Sequence, residues 1–282
     1  MDMSLLLGTL DETQRSERLF QGELLLFQKQ EAISPLLSQA RDIINHHFAV
    51  SDPELAYLTL TPEQYLERAN AAQEAFKQSQ AVKDSISALL QACGVNLDDN
   101  YIDQRVLRIV PCLESFDKGN NASLRHHRDT WGANIYCQQN WWLPVFQLET
   151  ARGIAFYPEY WDKPVANTTD TWSFSAFLQA RKANPTNIKV PYPSSPQATE
   201  MVDESMRFCP VIQPGEILCF SSAHLHASRI NRTNKIRFSV EWRTINKKDI
   251  LAHRSAPNVD NAGVVPMYQW FKRISNGETL RV

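Results

Sequence analysis

The sequence predicts a mainly β fold: a double-stranded β-helix barrel of the jelly-roll type, buttressed by N-terminal α-helices. Three observations predict it. From residue 104 to residue 246, short β-rich runs alternate with turn residues. Helix start signals and apolar stripes at helical spacing fall in the first third of the chain. The run 236–243 alternates strictly, with Ile236, Phe238, Val240 and Trp242 on one face and Arg237, Ser239, Glu241 and Arg243 on the other. No linker divides the 282 residues, so the chain reads as one domain. Within it, residues 1–100 or so form the helical buttress, 101–250 the barrel core and 251–282 a C-terminal extension.

Glu23-Leu24-Leu25-Leu26-Phe27 reads as a strand. Ser34-Pro35 then supplies a helix N-cap and first helical residue before Leu36, Leu37, Ala40, Ile43, Ile44 and Phe48 at helical spacing. Thr61-Pro62-Glu63-Gln64 repeats the start signal, with Gln64 placed to complete a capping box. Val82, Ile86, Leu89, Leu90 and Cys93 form an apolar stripe that Gly94 ends. These helices read as packing against the barrel, not as chemistry. The strand runs are 105–110, 134–148, 153–157, 207–212, 216–220 and 235–246. Residues 184–200 are too rich in proline and polar residues for an internal strand and read as a long loop, either a plain connection or a lid.

Composition excludes several classes of function. Lys and Arg total 29 against 31 Asp and Glu, for a net charge of −2, and no basic run suited to nucleic acid or an anionic membrane is present. Five cysteines, Cys93, Cys112, Cys137, Cys209 and Cys219, are an odd number set mostly in apolar segments, which favours reduced thiols. The start has no basic region and only a very short apolar run, and no later segment approaches a membrane span. A cytoplasmic enzyme acting on a small molecule is the expectation, with its oligomeric state open.

The chemistry-bearing pattern is His127-Arg128-Asp129 followed, far downstream, by His226. Residues i and i+2 on a strand or strand end point to one side, so His127 and Asp129 can offer a nitrogen and an oxygen to one ion. A histidine from another strand would close a facial triad, the two-histidine, one-carboxylate arrangement of non-haem Fe(II) oxygenases. The polar face carrying Arg237 and Arg243 ordinarily meets solvent. In a small barrel one face must look inward, and a guanidinium fork there suits a dicarboxylic acid.

These residues resemble the phytanoyl-CoA dioxygenase family of Fe(II)/2-oxoglutarate-dependent oxygenases, a cupin-like group. The resemblance covers the C-terminal two thirds and rests on His127 and Asp129, the turn Pro214-Gly215-Glu216, then His226-Ala227-Ser228-Arg229-Ile230-Asn231 and Arg237. It implies Fe(II) held by His127, Asp129 and His226, with His224 outside the metal site. It also implies 2-oxoglutarate held at its distal carboxylate by Arg237 and Ser228, with Asn231 on a further family position. Ser239, on the face of Arg237, joins them as a candidate contact. The implied reaction consumes O2 and 2-oxoglutarate, releases succinate and CO2, and oxidises a C–H bond, with hydroxylation as the default. Related halogenases lack the carboxylate, so Asp129 argues against halogenation. At residues 152–161 the chain departs from the family pattern, and no substrate contact carries over.

Trp131, Asn134, Tyr136, Gln138, Asn140 and Trp142 are candidates for the substrate pocket, the last five sharing a face of a regular strand. A polar cross-strand ladder accounts for the same residues equally well. Two other classes stay open: a non-oxidative metalloenzyme of cupin type, isomerase or hydrolase, and a non-catalytic barrel that binds a small molecule.

Overall fold

The computed structural model describes residues 2–116, 124–183 and 192–282. The chain is a mixture of helices and strands around a sheet-rich core. In order, the N-terminal part runs β1 (Met3–Leu6), α1 (Glu12–Phe20), β2 (Leu24–Gln28), α2 (Gln30–Phe48), α3 (Pro62–Gln78) and α4 (Gln80–Ala92). There follow β3 (Asn100–Ile102), β4 (Val106–Val110), α5 (Asp129–Ala133), β5 (Gln138–Pro144), β6 (Ile154–Phe156) and α6 (Phe174–Ala183). The last third holds β7 (Glu216–Ser221), β8 (His226–Ser228), β9 (Arg237–Asn246), α7 (Lys247–Leu251) and β10 (Lys272–Arg273).

Eight strands form one sheet in the order β1-β2-β7-β5-β9-β3-β10, with β4 also paired to β9, and β6 and β8 form a second, two-stranded sheet. The ten-residue β9 is the spine: β5 runs antiparallel along one edge, with Asn140 opposite Arg243 and Trp142 opposite Glu241. Its other edge is shared between β4, with Val110 opposite Arg237, and β3. Each face of the large sheet has its own core. Phe238, Val240 and Trp242 pack with Phe27, Ile44, Phe48 and Ile86 on the helical side. Trp142, Leu218 and Phe220 pack with Ile154 and Phe156 of the small sheet on the other. Both faces are covered, which is why every residue of β5 is buried.

The helices form where their caps and stripes place them, with one shift. At Thr61 the capping box is complete: its hydroxyl accepts from Gln64 N at 3.3 Å and Gln64 Oε1 accepts from Thr61 N at 3.0 Å. The stripe Val82, Ile86, Leu89, Leu90 and Cys93 is fully buried, and Gly94 ends it with φ 83°. Helix α2, however, begins at Gln30, one turn before Ser34-Pro35, and Pro35 lies inside it. Ile33 is the reason: its amide bonds to Lys29 O at 2.8 Å and its side chain enters the core, so the earlier turn is worth forming.

Three strand expectations are corrected. The run 134–148 contracts to Gln138–Pro144, because α5 precedes it and Asn134, at φ 50°, ends that helix in the left-handed conformation that asparagine tolerates. Asn134 and Tyr136 therefore do not share a strand face with Asn140. The run 207–212 supplies a single bridge, Phe208 to Phe156, since Pro210 has no N–H to continue a ladder. Asp129 is not on a strand with His127 but opens α5. Of the loop at 184–200, residues 184–191 lie outside the described residues, and 192–200 carry no regular element beyond a bridge from Ala198 to Asn167. All five cysteines are free. Among the described residues no helix is long and apolar enough to cross a membrane.

Candidate metal centre and co-substrate pocket

His127 and His226 face each other across an antiparallel bridge, each amide donating to the other's carbonyl at 3.0 Å. Residues directly opposite in such a pair project to the same side, so the two imidazoles stand together with ring centroids 4.3 Å apart. The chain then turns into α5, which swings Asp129 back over the bridge; its Oδ1 lies 3.6 Å from His127 Nε2. One ligand atom from each of His127, Asp129 and His226 lies within 4.8 Å of the other two, and they are the group of this kind found among the described residues.

The surroundings fix which atoms are offered. His127 Nδ1 meets Arg125 O at 2.7 Å and His226 Nδ1 meets His224 O at 3.0 Å. A carbonyl only accepts, so each Nδ1 carries the hydrogen and each Nε2 keeps its lone pair for an ion. Burial pushes His226 down to about 4, helped by the neighbouring His127, so it is neutral and able to ligate at ordinary pH. For Asp129 burial acts upward, but the adjoining His127 and the charge of Arg243 outweigh it, and the carboxyl stays ionised well below the usual range. Two imidazoles and one carboxylate fit a divalent iron, with positions to spare. His224 is elsewhere: fully buried, its Nδ1 lies 3.1 Å from Ser221 O and its Nε2 3.1 Å from Gly22 O.

A cavity of about 130 Å³ joins this cluster to Arg237 and Ser228. Arg237 is buried, donates to Gly153 O at 3.1 Å and to Ser228 Oγ at 3.2 Å, and leaves its Nε without a partner. Burial lowers it to about 10 against the pull of Glu241, so it remains a cation. Trp142 Nε1, on the cavity wall, is likewise buried without a partner; Ser239 Oγ is too, but Ser239 does not border the cavity. Orphaned donors of this kind cost about 1–3 kcal/mol each unless something accepts from them, and a dicarboxylate would.

The other sequence candidates separate. Asn140 and Trp142 border the cavity; Trp131, Asn134, Tyr136 and Gln138 do not. Trp131 donates to Asp260 at 2.7 Å. Asn231 spends its amide on Lys235 O at 2.8 Å and accepts from the Thr233 hydroxyl at 2.7 Å, which shapes the turn before β9. Two further arginines border the cavity: Arg108 carried no sequence signal, and Arg243 was marked by the face it shares with Arg237. Arg108 Nε donates to Glu241 at 2.9 Å along the cavity wall. Arg243 is held by Asp103, whose Oδ1 accepts its backbone N–H at 2.9 Å, and reaches to 3.8 Å from Asp129 Oδ1. Arg108 lies on β4, Glu241 and Arg243 on β9 and Asp103 just beyond β3, and only the alternation of β9 hinted at the face its residues share.

No family model and no curated protein matches the chain. Among solved structures, it is similar to EvdO2 from Micromonospora carbonacea var. aurantiaca complexed with 2-oxoglutarate, at 11% identity and TM-score 0.48, over 86% of this chain and 93% of that one. It is similar also to a non-heme monooxygenase, the ThoJ–Ni complex, at 16% identity and TM-score 0.38, over 82% and 76%. A third is SnoN, a non-heme alpha ketoglutarate dependent epimerase from nogalamycin biosynthesis, at 10% identity and TM-score 0.38, over 96% and 97%. At this level of likeness the chemistry has to be read from the chain's own side chains.

Proposed function

We propose that the protein is an Fe(II)/2-oxoglutarate-dependent oxygenase on a double-stranded β-helix, oxidising a C–H bond of a small molecule. The observation that carries the reading is the single cavity with His127, Asp129 and His226 at one end and the unpartnered Nε of Arg237 at the other. Bound in this way, iron and 2-oxoglutarate would supply the O2 chemistry, in which one oxygen atom ends in succinate as CO2 leaves and the other ends in the substrate, turning a C–H into a C–OH. The chain's part is to bind and exclude. Arg237 and Ser228 would take the distal carboxylate, the two imidazoles and Asp129 would hold the ion, and Phe220 and Ile154 on the cavity wall keep water out. A natural-product or amino-acid-derived intermediate is the class of substrate we propose.

The test measures succinate formed by purified protein supplied with Fe(II), O2 and a mixture of small metabolites, with and without 2-oxoglutarate. Succinate that requires 2-oxoglutarate, together with a substrate mass gain of one oxygen, supports the reading. A metabolite consumed without 2-oxoglutarate would instead make the protein a non-oxidative metalloenzyme. Binding of 2-oxoglutarate or metabolites with no turnover would make it a binding barrel.

A further inference from the structure

Asp129 has two oxygens, and each meets a different surrounding. Oδ1 faces the imidazoles, 3.6 Å from His127 Nε2, with Arg243 Nη1 at 3.8 Å. Oδ2 accepts from Asn140 Nδ2 at 2.6 Å, the short distance of a bond to an ionised acceptor. The sense of that amide is fixed as well. Asn140 Oδ1 accepts from Gln138 Nε2 at 3.1 Å, and the two residues sit i, i+2 on one face of β5. Turning the Asn140 amide over would set its carbonyl against the carboxylate and its NH2 against that of Gln138. Both amides are buried, so water cannot repair the loss.

Resting on the metal-centre reading above, we propose that Asn140, oriented by Gln138, is a positioning residue that holds Asp129 Oδ2 and leaves Oδ1 alone for the ion. The consequence is a matter of counting positions. A six-coordinate ion with two imidazoles and one carboxylate oxygen keeps three positions, enough for a two-toothed 2-oxo acid and one further small ligand. If the carboxylate turned to give both oxygens, only two would remain and the 2-oxo acid would fill them. Carboxylates bind in either mode, so something must choose, and the hydrogen bond to Oδ2 does. Asn140, placed among substrate-pocket candidates by sequence, has its donor committed to the ligand.

The test uses Co(II) as the probe ion, whose absorption spectrum reports coordination, on purified wild-type, Asn140→Leu and Gln138→Leu proteins. Leucine keeps the branched skeleton of asparagine and removes the donor. Asn140→Leu is expected to weaken Co(II) binding about 10- to 100-fold and to change the spectrum of the bound ion. Gln138→Leu, which does not touch the carboxylate, is expected to show the same change in smaller degree. It also keeps the test alive if Asn140→Leu fails to fold. Folded variants with the affinity and spectrum of wild type would overturn the proposal while leaving the metal centre intact. Failure of the wild type itself to bind Co(II) would overturn the metal reading on which it rests.

Discussion

Arg128, the residue between His127 and Asp129, turns its side chain away from both and places Nε 3.0 Å from Asp260 Oδ2. Both partners are almost fully buried. The guanidinium also donates to Ala223 O at 2.6 Å and Lys163 O at 3.0 Å, and Asp260 accepts from Trp131 Nε1 at 2.7 Å and Val165 N at 3.0 Å. The segment bearing the two proposed ligands is thus bolted to the C-terminal extension and to the stretch around residue 163.

Removing one partner of that pair should be costly, because the other stays buried and charged. Asp260→Ala is expected to lower the free energy of unfolding by about 3–5 kcal/mol. Urea unfolding measures it, and a loss below about 1 kcal/mol would show that the pair is not a structural tie.

The two neighbouring histidines should part company. His226→Ala is expected to abolish stoichiometric Fe(II) binding. His224→Ala should lower stability, since a buried ring is lost, but leave the stoichiometry of bound metal unchanged. Metal analysis of the two purified variants decides, and equal loss of iron in both would sink the choice of ligands.

For the co-substrate, Arg237→Lys keeps the charge but loses the fork that reaches Ser228 and the cavity together. The affinity for 2-oxoglutarate, titrated calorimetrically on the metal-loaded protein, is expected to fall by about 1.5–3 kcal/mol with metal binding preserved. Arg243 is the competing cation on the same face, but Asp103 and Asp129 already occupy it. An unchanged titration would transfer the role to it.

Much of this arrangement was legible in the sequence, and the failures have physical causes. The alternation at 236–243 identifies β9 and the inward face of Arg237, because a strand's period is set by the backbone alone. The capping box at Thr61 is equally local. Helix α5 is only five residues long and offers no period to detect, so the sequence pattern alone places Asp129 at a strand end. Asp103 and Asp260 are distant in sequence from the arginines they hold, and nothing local marks such a partner. For Asn140 the face of β5 was legible, but which neighbour takes its amide depends on where α5 swings Asp129.

The last prediction concerns acid. Burial pushes both His224 and His226 from about 6.5 down to about 4 in the metal-free fold. An unfolded chain takes up these protons near pH 6.5, whereas the folded chain does so only near 4, so between the two values the unfolded state binds more protons. Stability is therefore full above about pH 6.5 and falls as the pH drops through this window, by up to about 1.4 kcal/mol per pH unit for each imidazole. It levels off below about pH 4, where both states are protonated. Urea midpoints of the metal-free protein between about pH 4.5 and 7 measure the slope, and His224→Asn should reduce it. There is a competing force to judge. Both His224 nitrogens face carbonyl oxygens at 3.1 Å, a setting that an imidazolium satisfies fully and a neutral ring only by half. If His224→Asn leaves the slope of the wild type untouched, those two carbonyls outweigh burial and the ring is already a cation in the folded protein.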